Sequence, residues 1–202
     1  MLVNWNDINR YINSEISGVL HVGGHLAEEL SIYDAAGINY VIWVEADEER
    51  SVKIKNLVPD FHDVVCAVVG DVDGADVVFH EANNGQSSSI LDFGTHVVEH
   101  PEVFYISETK KTMRRLDALA EEFDFKKFNF LNLDIQGAEL LALKGMGNLL
   151  DNVTYIYTEI NEKSLYDGCC LIPDLDEYLS DFQRVITEMT PFGWGDALYV
   201  RV

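Results

Sequence analysis

Residues 128–140 read FNFLNLDIQGAEL: an apolar run that carries a polar Asn132, ends on Asp134, and passes at once into a helix-like pattern. A short apolar run followed directly by a helix is the signature of a strand in a parallel sheet, where βα units alternate. In open α/β sheets ligands bind beyond the carboxyl ends of the strands. A carboxylate at that point faces a cleft, where it can attract a cationic centre, position a hydroxyl or help to hold a metal ion.

The same alternation continues on both sides. Trp5, Ile8, Ile12 and Ile16 recur at helical spacing, so residues 4–17 read as an amphipathic helix closed by Gly18. GVLHVGG (18–24) is a short strand, LAEELSIYDAAG (26–37) a helix ending at Gly37, and YVIWVEAD (40–47) a second apolar strand. A helix over 47–57, a strand HDVVCAVV (62–69) and an extended piece ADVVFHE (75–81) follow, the last two joined by a turn whose Asp73-Gly74 suggests a hairpin. NNGQSSS (83–89) and the stretch up to Pro101 form the longest irregular region, and long loops in compact domains are often functional. A helix over 114–122 leads into the opening strand, and GAELLALKGMGNLL (137–150) is the helix after it. VTYIYTEI (153–160) is a further strand and IPDLDEYLSDF (172–182) a further helix, with Pro173 near its start. RVITEMT and DALYVRV, separated by PFGWG, close the chain as an antiparallel hairpin. There is no repeat or linker, so residues 1–202 read as a single domain: an N-terminal helix over 1–17 and a Rossmann-like core over 18–202.

Composition bounds the partners. With 202 residues, 48% of them hydrophobic, the chain can bury a sizeable core. Its 35 acidic and 14 basic side chains give a formal charge of −21, which repels phosphate backbones and anionic lipid headgroups; neutral or cationic ligands fit better. Nucleic acid and membrane are therefore not expected as partners. Three cysteines, two of them the adjacent Cys169 and Cys170, do not make a disulfide framework. No run approaches the ~18 apolar residues of a membrane span and no secretory leader is evident, so the expectation is a soluble, cytoplasmic protein.

Three constellations carry chemistry. Gly23 and Gly24 let the backbone turn tightly after the first strand, and Glu45 ends the next strand about twenty residues later, where a carboxylate can accept both hydroxyl protons of a ribose. Separately, the glycines suit an ordinary turn and Glu45 a solvated strand end; together they suggest a nucleoside site, without separating nicotinamide from adenosylmethionine cofactors. Asp134 and Glu159 end two further strands and flank one crevice, with Glu139 behind them, paired structurally with Lys144 or a backbone group. HVVEH (96–100) has the letters of an inverted zinc-protease motif, but Pro101 ends any supporting helix at once. His21 suits a structural role and His25 the ligand loop; no Cys/His set has zinc-finger spacing, and no metal ligands are assigned.

At this point the residues resemble the FkbM family of S-adenosylmethionine-dependent methyltransferases, over about 18–201. The motifs are HVGGHLAEE, WVEAD, NNGQSSSIL, MRRLDALAEE, NLDIQGAELLALKG and YTEIN, with EKSLYDGCCLIPDLDEYL and GWGDALYVR near the end. The resemblance implies an α/β, Rossmann-like class I methyltransferase fold: a mostly parallel seven-stranded sheet whose last two strands are the antiparallel hairpin. It implies S-adenosylmethionine as cofactor, with Gly23, Gly24 and His25 at its methionine part, Glu45 at the ribose and Ala46-Asp47 at the adenine edge. Cys66, Ala67 and Val68 would wall the adenine, and Asp134 would sit near the sulfonium or the acceptor. The implied reaction is O-methylation of a hydroxyl on a sugar, a glycan or another natural product. Asp134 is then the first candidate for positioning or base chemistry, followed by Glu159, Asn161 and His25. A divalent metal that lowers the hydroxyl pKa is compatible with this chemistry but is not indicated by the residues. Trp194 and Asp196 suit stacking on and bonding to a sugar, or packing of the hairpin. Two positions depart from the family pattern: Ala27 stands at the third glycine position, and Gln136 where an acidic residue is common, so that side chain cannot act as a carboxylate base. The alternatives are a nicotinamide-dependent oxidoreductase and a non-catalytic nucleoside-binding module.

Overall fold

The computed structural model of the chain describes residues 1–123 and 125–202. In chain order the helices are α1 (Trp5–Ile8), α2 (Leu30–Ala35), α3 (Glu48–Leu57), α4 (His96–Glu99), α5 (Leu116–Glu122), α6 (Glu139–Lys144) and α7 (Ile172–Tyr178). The strands are β1 (Val19–Val22), β2 (Val41–Glu45), β3 (Asp63–Cys66), β4 (Val68–Val69), β5 (Asp76–Ala82), β6 (Tyr105–Arg114), β7 (Phe130–Leu133), β8 (Tyr155–Asn161), β9 (Phe182–Met189) and β10 (Trp194–Arg201).

Seven strands form one sheet in the order β3-β2-β1-β7-β8-β10-β9. The first five are parallel, and β10 runs antiparallel to both β8 and β9, which is the architecture that the resemblance implied. Strand order reverses between β1 and β7, so the cleft lies beyond Val22 and Leu133, beside Asp134.

Period-2 alternation divides the strand residues between two cores. Leu20, Ile42, Val44, Leu131, Leu133 and Ile156 face one side, against Leu116, Leu143 and Leu175. Val41, Trp43, Phe130, Tyr155 and Tyr157 face the other, against Ile8, Tyr33 and Ile54. Asn132 falls in this second set: its amide donates to the Tyr33 hydroxyl at 2.8 Å, and the buried His21 lies within 3.0 Å of the same hydroxyl and stacks on Trp43. The polar letter inside the opening strand is thus a satisfied core group.

Several expectations need correction. The N-terminal helix ends early: α1 and one 3₁₀ turn (Asn9–Tyr11) replace a helix over 4–17. Beyond them, the Asn13 and Ser14 N–H groups donate to the Tyr155 hydroxyl at 3.0 and 3.1 Å, and Ser17 N–H donates to Asn129, so tertiary partners take the place of helical ones. Trp5, Ile8, Ile12 and Ile16 still pack on the second core. The strand expected over 62–69 breaks at Ala67, whose N–H donates to the Glu45 carbonyl; β3 stays in the main sheet while β4 joins a small sheet ordered β4-β6-β5. No β4–β5 hairpin forms at Asp73-Gly74, because β6 lies between the two strands. Strand β6 had no counterpart in the sequence reading. The ladder it forms with β5 carries the 83–104 connection to the carboxyl edge of the main sheet.

Candidate active site

The turn after β1 builds the first part of the site. Gly23 adopts φ +90°, and a Cβ there would stand 1.8 Å from the Asp134 carbonyl oxygen, so only glycine lets β1 and β7 approach this closely. The Gly23 and Gly24 N–H groups both donate to the Val44 carbonyl. His25 and Ala27 follow at φ +42° and +58°, left-handed conformations that a side chain resists. Ala27 therefore stands where a glycine would be easier, and these residues turn instead of extending α2 back to Leu26.

Glu45 closes this turn from β2. Its Oε2 accepts the His25 N–H at 2.8 Å and its Oε1 the Asp47 N–H at 2.8 Å. Both oxygens keep lone pairs, and the side chain lines a cleft with about 580 Å³ of open space. Burial pushes its carboxyl above the usual range, against the two amide donors. Gly23, His25, Ala46, Ala67, Val68 and Asp134 line the same cleft, so seven of the ten expected cofactor residues converge. Gly24, Asp47 and Cys66 are not among its lining. Gly24 backs onto Trp43 and Ile54, Asp47 Oδ1 caps α3 by accepting the Arg50 N–H at 2.8 Å, and the exposed Cys66 thiol lies 3.9 Å from the Ala46 carbonyl.

A second, wider chamber of about 1400 Å³ adjoins the first, and Gly23, His25, Gln86, Asp134 and Gln136 line both. Its polar wall carries Glu28, Glu29, Glu102, Asp134, Glu159 and Asp196, and no lysine or arginine side chain lines it among the described residues. Its broader faces carry His96, His100, Tyr166 and Trp194. His96 stacks on Phe93 with 4.2 Å between ring centroids, and burial depresses its pKa to about 4, so the ring is neutral. α4 is only four residues long, which leaves the HVVEH letters without the helix a zinc-protease motif requires.

At the boundary of the two chambers sits a group that the sequence reading did not anticipate. Gln136 Nε2 donates to Asp134 Oδ1 and to Glu159 Oε2, both at 2.7 Å. Its Oε1 accepts the Tyr166 hydroxyl at 2.7 Å. The 83–89 loop reaches the same point: Ser89 Oγ donates to the Gln136 carbonyl at 2.8 Å. Glu159 is buried, and loss of hydration, reinforced by Asp134, Glu139 and Asp196, holds its carboxyl well above the usual range. Asp134 is open to the chambers at its surface, yet the protein packed around it and then Asp196 push its carboxyl up to about 6. Asn161 stands behind, donating to Glu159 Oε1 at 3.3 Å, and does not line either chamber. The His25 ring turns to Glu28, 2.6 Å away. Asp196 Oδ2 accepts the Leu2 N–H at 2.6 Å and the Tyr157 hydroxyl, which ties residues 1–3 across the chamber. Glu139 accepts the Ile135 and Gly137 N–H groups through Oε1, each at 3.1 Å, so its partners are backbone amides and not Lys144.

The family model described as the methyltransferase FkbM domain matches residues 21–193, from His21 on β1 to the turn before β10. The chain belongs to that family. The 2-O-methyltransferase NoeI of Sinorhizobium fredii is 28% identical to the chain over 99 residues. That stretch is 49% of this FkbM-family chain and 41% of the relative, so the match spans less than half of either. Among solved structures, a magnesium protoporphyrin IX methyltransferase from Synechocystis with bound S-adenosylmethionine superposes with a TM-score of 0.50 at 13% identity, covering 98% of the FkbM-family chain and 75% of its own. An S-adenosylmethionine-dependent methyltransferase from Aquifex aeolicus gives 0.50 at 11%, covering 98% and 89%. At such identities the likeness is one of fold, and the fold is that of class I methyltransferases.

Proposed function

We propose that residues 1–202 act as one catalytic domain that transfers a methyl group from S-adenosylmethionine to a hydroxyl of a sugar, a glycan or a related polyol. The observation that carries this reading is the meeting of two chambers at Asp134, one shaped as a nucleoside cradle and the other as a polar acceptor chamber. The cradle fits the cofactor: Glu45 presents free lone pairs for a ribose diol, and Ala46, Ala67, Val68 and Phe79 give a flat base an apolar slot. When bound, S-adenosylmethionine supplies an electrophilic methyl group whose transfer to oxygen is an in-line displacement.

The chain's own residues supply the rest. Asp134 accepts the proton of the acceptor hydroxyl as its oxygen becomes the nucleophile. Gln136, anchored on Glu159, which Asn161 also holds, fixes Asp134 from behind. Gln86 lines both chambers at their boundary, where bound cofactor and acceptor would displace water and be held in line. The acceptor chamber is acidic, so it favours neutral or amine-bearing acceptors over phosphorylated ones. The name of the NoeI relative is consistent with oxygen as the atom methylated.

The test is transfer of an isotopically labelled methyl group to a panel of neutral sugars, amino sugars, free polyols and sugar phosphates. Labelled product from neutral or amino sugars with little from the phosphates supports the reading; labelling confined to phosphorylated acceptors contradicts it.

A further inference from the structure

The boundary between the chambers is lined by a side chain whose amide oxygen and both N–H donors are engaged. Gln136 has one acceptor oxygen and two N–H donors. The oxygen takes the Tyr166 hydroxyl, and the two hydrogens go to two carboxylates, Asp134 just after β7 and Glu159 on β8. The reverse amide orientation would set an oxygen 2.7 Å from two carboxylate oxygens, so chemistry dictates which end faces which. The backbone is equally committed: Gln136 holds φ +57°, a left-handed conformation uncommon outside glycine, and Ser89 and the following Gly137 (φ +97°) keep it there. Strain tolerated at a residue whose side chain is fully engaged points to a placement that the site needs.

We propose that Gln136 is a positioning residue: its amide nitrogen, by donating to both Asp134 and Glu159, clamps the two carboxylates into one unit and keeps Asp134 ionised at the chamber boundary. The inference rests on the reading of Asp134 as the base for the acceptor hydroxyl. It deepens that reading, because it names the group that keeps the base available. Without the clamp, two acid groups would face each other with no donor between them, and each would hold its proton more tightly. Other charged and titratable groups facing Asp134 are Asp196 on β10, Glu29 before α2, Glu139 on α6, Tyr166 and the amino group of Met1; of these only Tyr166 bonds to the Gln136 side chain, and Gln136→Glu keeps an oxygen to accept its hydroxyl.

Two substitutions of nearly unchanged length isolate the clamp. Gln136→Glu replaces the donor by a third carboxyl group, which can donate only when protonated. Gln136→Met removes the donor and adds no charge. The readout is the ¹³C-carboxyl titration of Asp134 in cofactor-free protein carrying labelled aspartate, with the resonance assigned by its absence in Asp134→Asn. Loss of a hydrogen bond to a charged group corresponds to an upward shift of about one to two pH units. The expected result is a shift of that size in both variants, with the larger in Gln136→Glu. A midpoint that stays where it is in a folded variant overturns the proposal. Thermal unfolding reports whether each variant is folded; if Gln136→Glu is not, Gln136→Met alone decides. The titration uses neither cofactor nor acceptor. Failure of the unsubstituted chain to bind S-adenosylhomocysteine would remove the methyl-transfer reading without touching this result.

Discussion

Glu139 is the side chain whose replacement is expected to stabilise the fold in a pH-dependent way. It is fully buried on α6, its Oε1 accepts two backbone N–H groups, and its Oε2 has no partner. Burial first, and then the charge of Asp134, push its carboxyl from 4.5 up to about 7 against the backbone donors that lower it. The sign follows from proton linkage: a carboxyl raised in the fold binds more protons folded than unfolded, so its contribution to stability falls as pH climbs from 4.5 to about 7 and is flat beyond. At about 1.4 kcal/mol per pH unit, ionisation destabilises the fold by roughly 1.4 kcal/mol at pH 5.5 and about 3 kcal/mol at pH 8.5. Gln keeps the acceptor for both amides and cannot ionise; its NH₂ lacks a partner, which costs about 1–3 kcal/mol at every pH. The difference between the two conditions cancels that penalty. Glu139→Gln should therefore gain about 2 kcal/mol relative to the unsubstituted chain between pH 5.5 and pH 8.5, roughly 4–8 °C in Tm for a chain of this size. Both conditions lie above the sequence pI of about 4.4. Paired calorimetric melts at the two pH values measure it. A stability difference that does not change with pH, or that moves against the variant at high pH, refutes the electrostatic account of this residue.

Asp134→Asn should lower kcat for methyl transfer by about 10²- to 10⁴-fold while leaving the S-adenosylhomocysteine Kd within a few-fold. In the unsubstituted chain, transfer should rise with pH through about 6, as Asp134 loses its proton, and then level off. Glu45→Gln turns one of two acceptors towards a backbone donor as an NH₂, so S-adenosylhomocysteine should bind about 10- to 100-fold more weakly in a calorimetric titration, and full affinity would remove Glu45 from the cradle.

The parallel core was legible because its strands announce themselves. β1, β2, β7 and β8 are short apolar runs buried along their whole length, each followed by a helix or a glycine turn. Their ends gave the site: Gly23, Glu45, Asp134 and Glu159 all mark carboxyl termini of these strands. β6 was hidden for the opposite reason. Most of YISETKKTMR is exposed, so it has neither an apolar run nor a clean alternation, and only its pairing with β5 and β4 makes it a strand. The break at Ala67 was equally invisible, since HDVVCAVV carries no Pro or Gly to mark the point where the chain changes sheets. At 4–17 the helical spacing correctly picked the apolar residues that bury, but the amides beyond Tyr11 are satisfied by Tyr155 and Asn129, which are distant in sequence. Gln136 shows the same limit at the site. Its role depends on Glu159 and Tyr166, 23 and 30 residues away, and nothing in IQGAE fixes where those side chains come to rest.

The most direct test of the central claim is a set of calorimetric titrations of the purified chain with S-adenosylmethionine, S-adenosylhomocysteine and NAD. The two-chamber account predicts that both sulfur nucleosides bind at one site per chain and that NAD does not. Binding of NAD alone, or of none of the three, would contradict it.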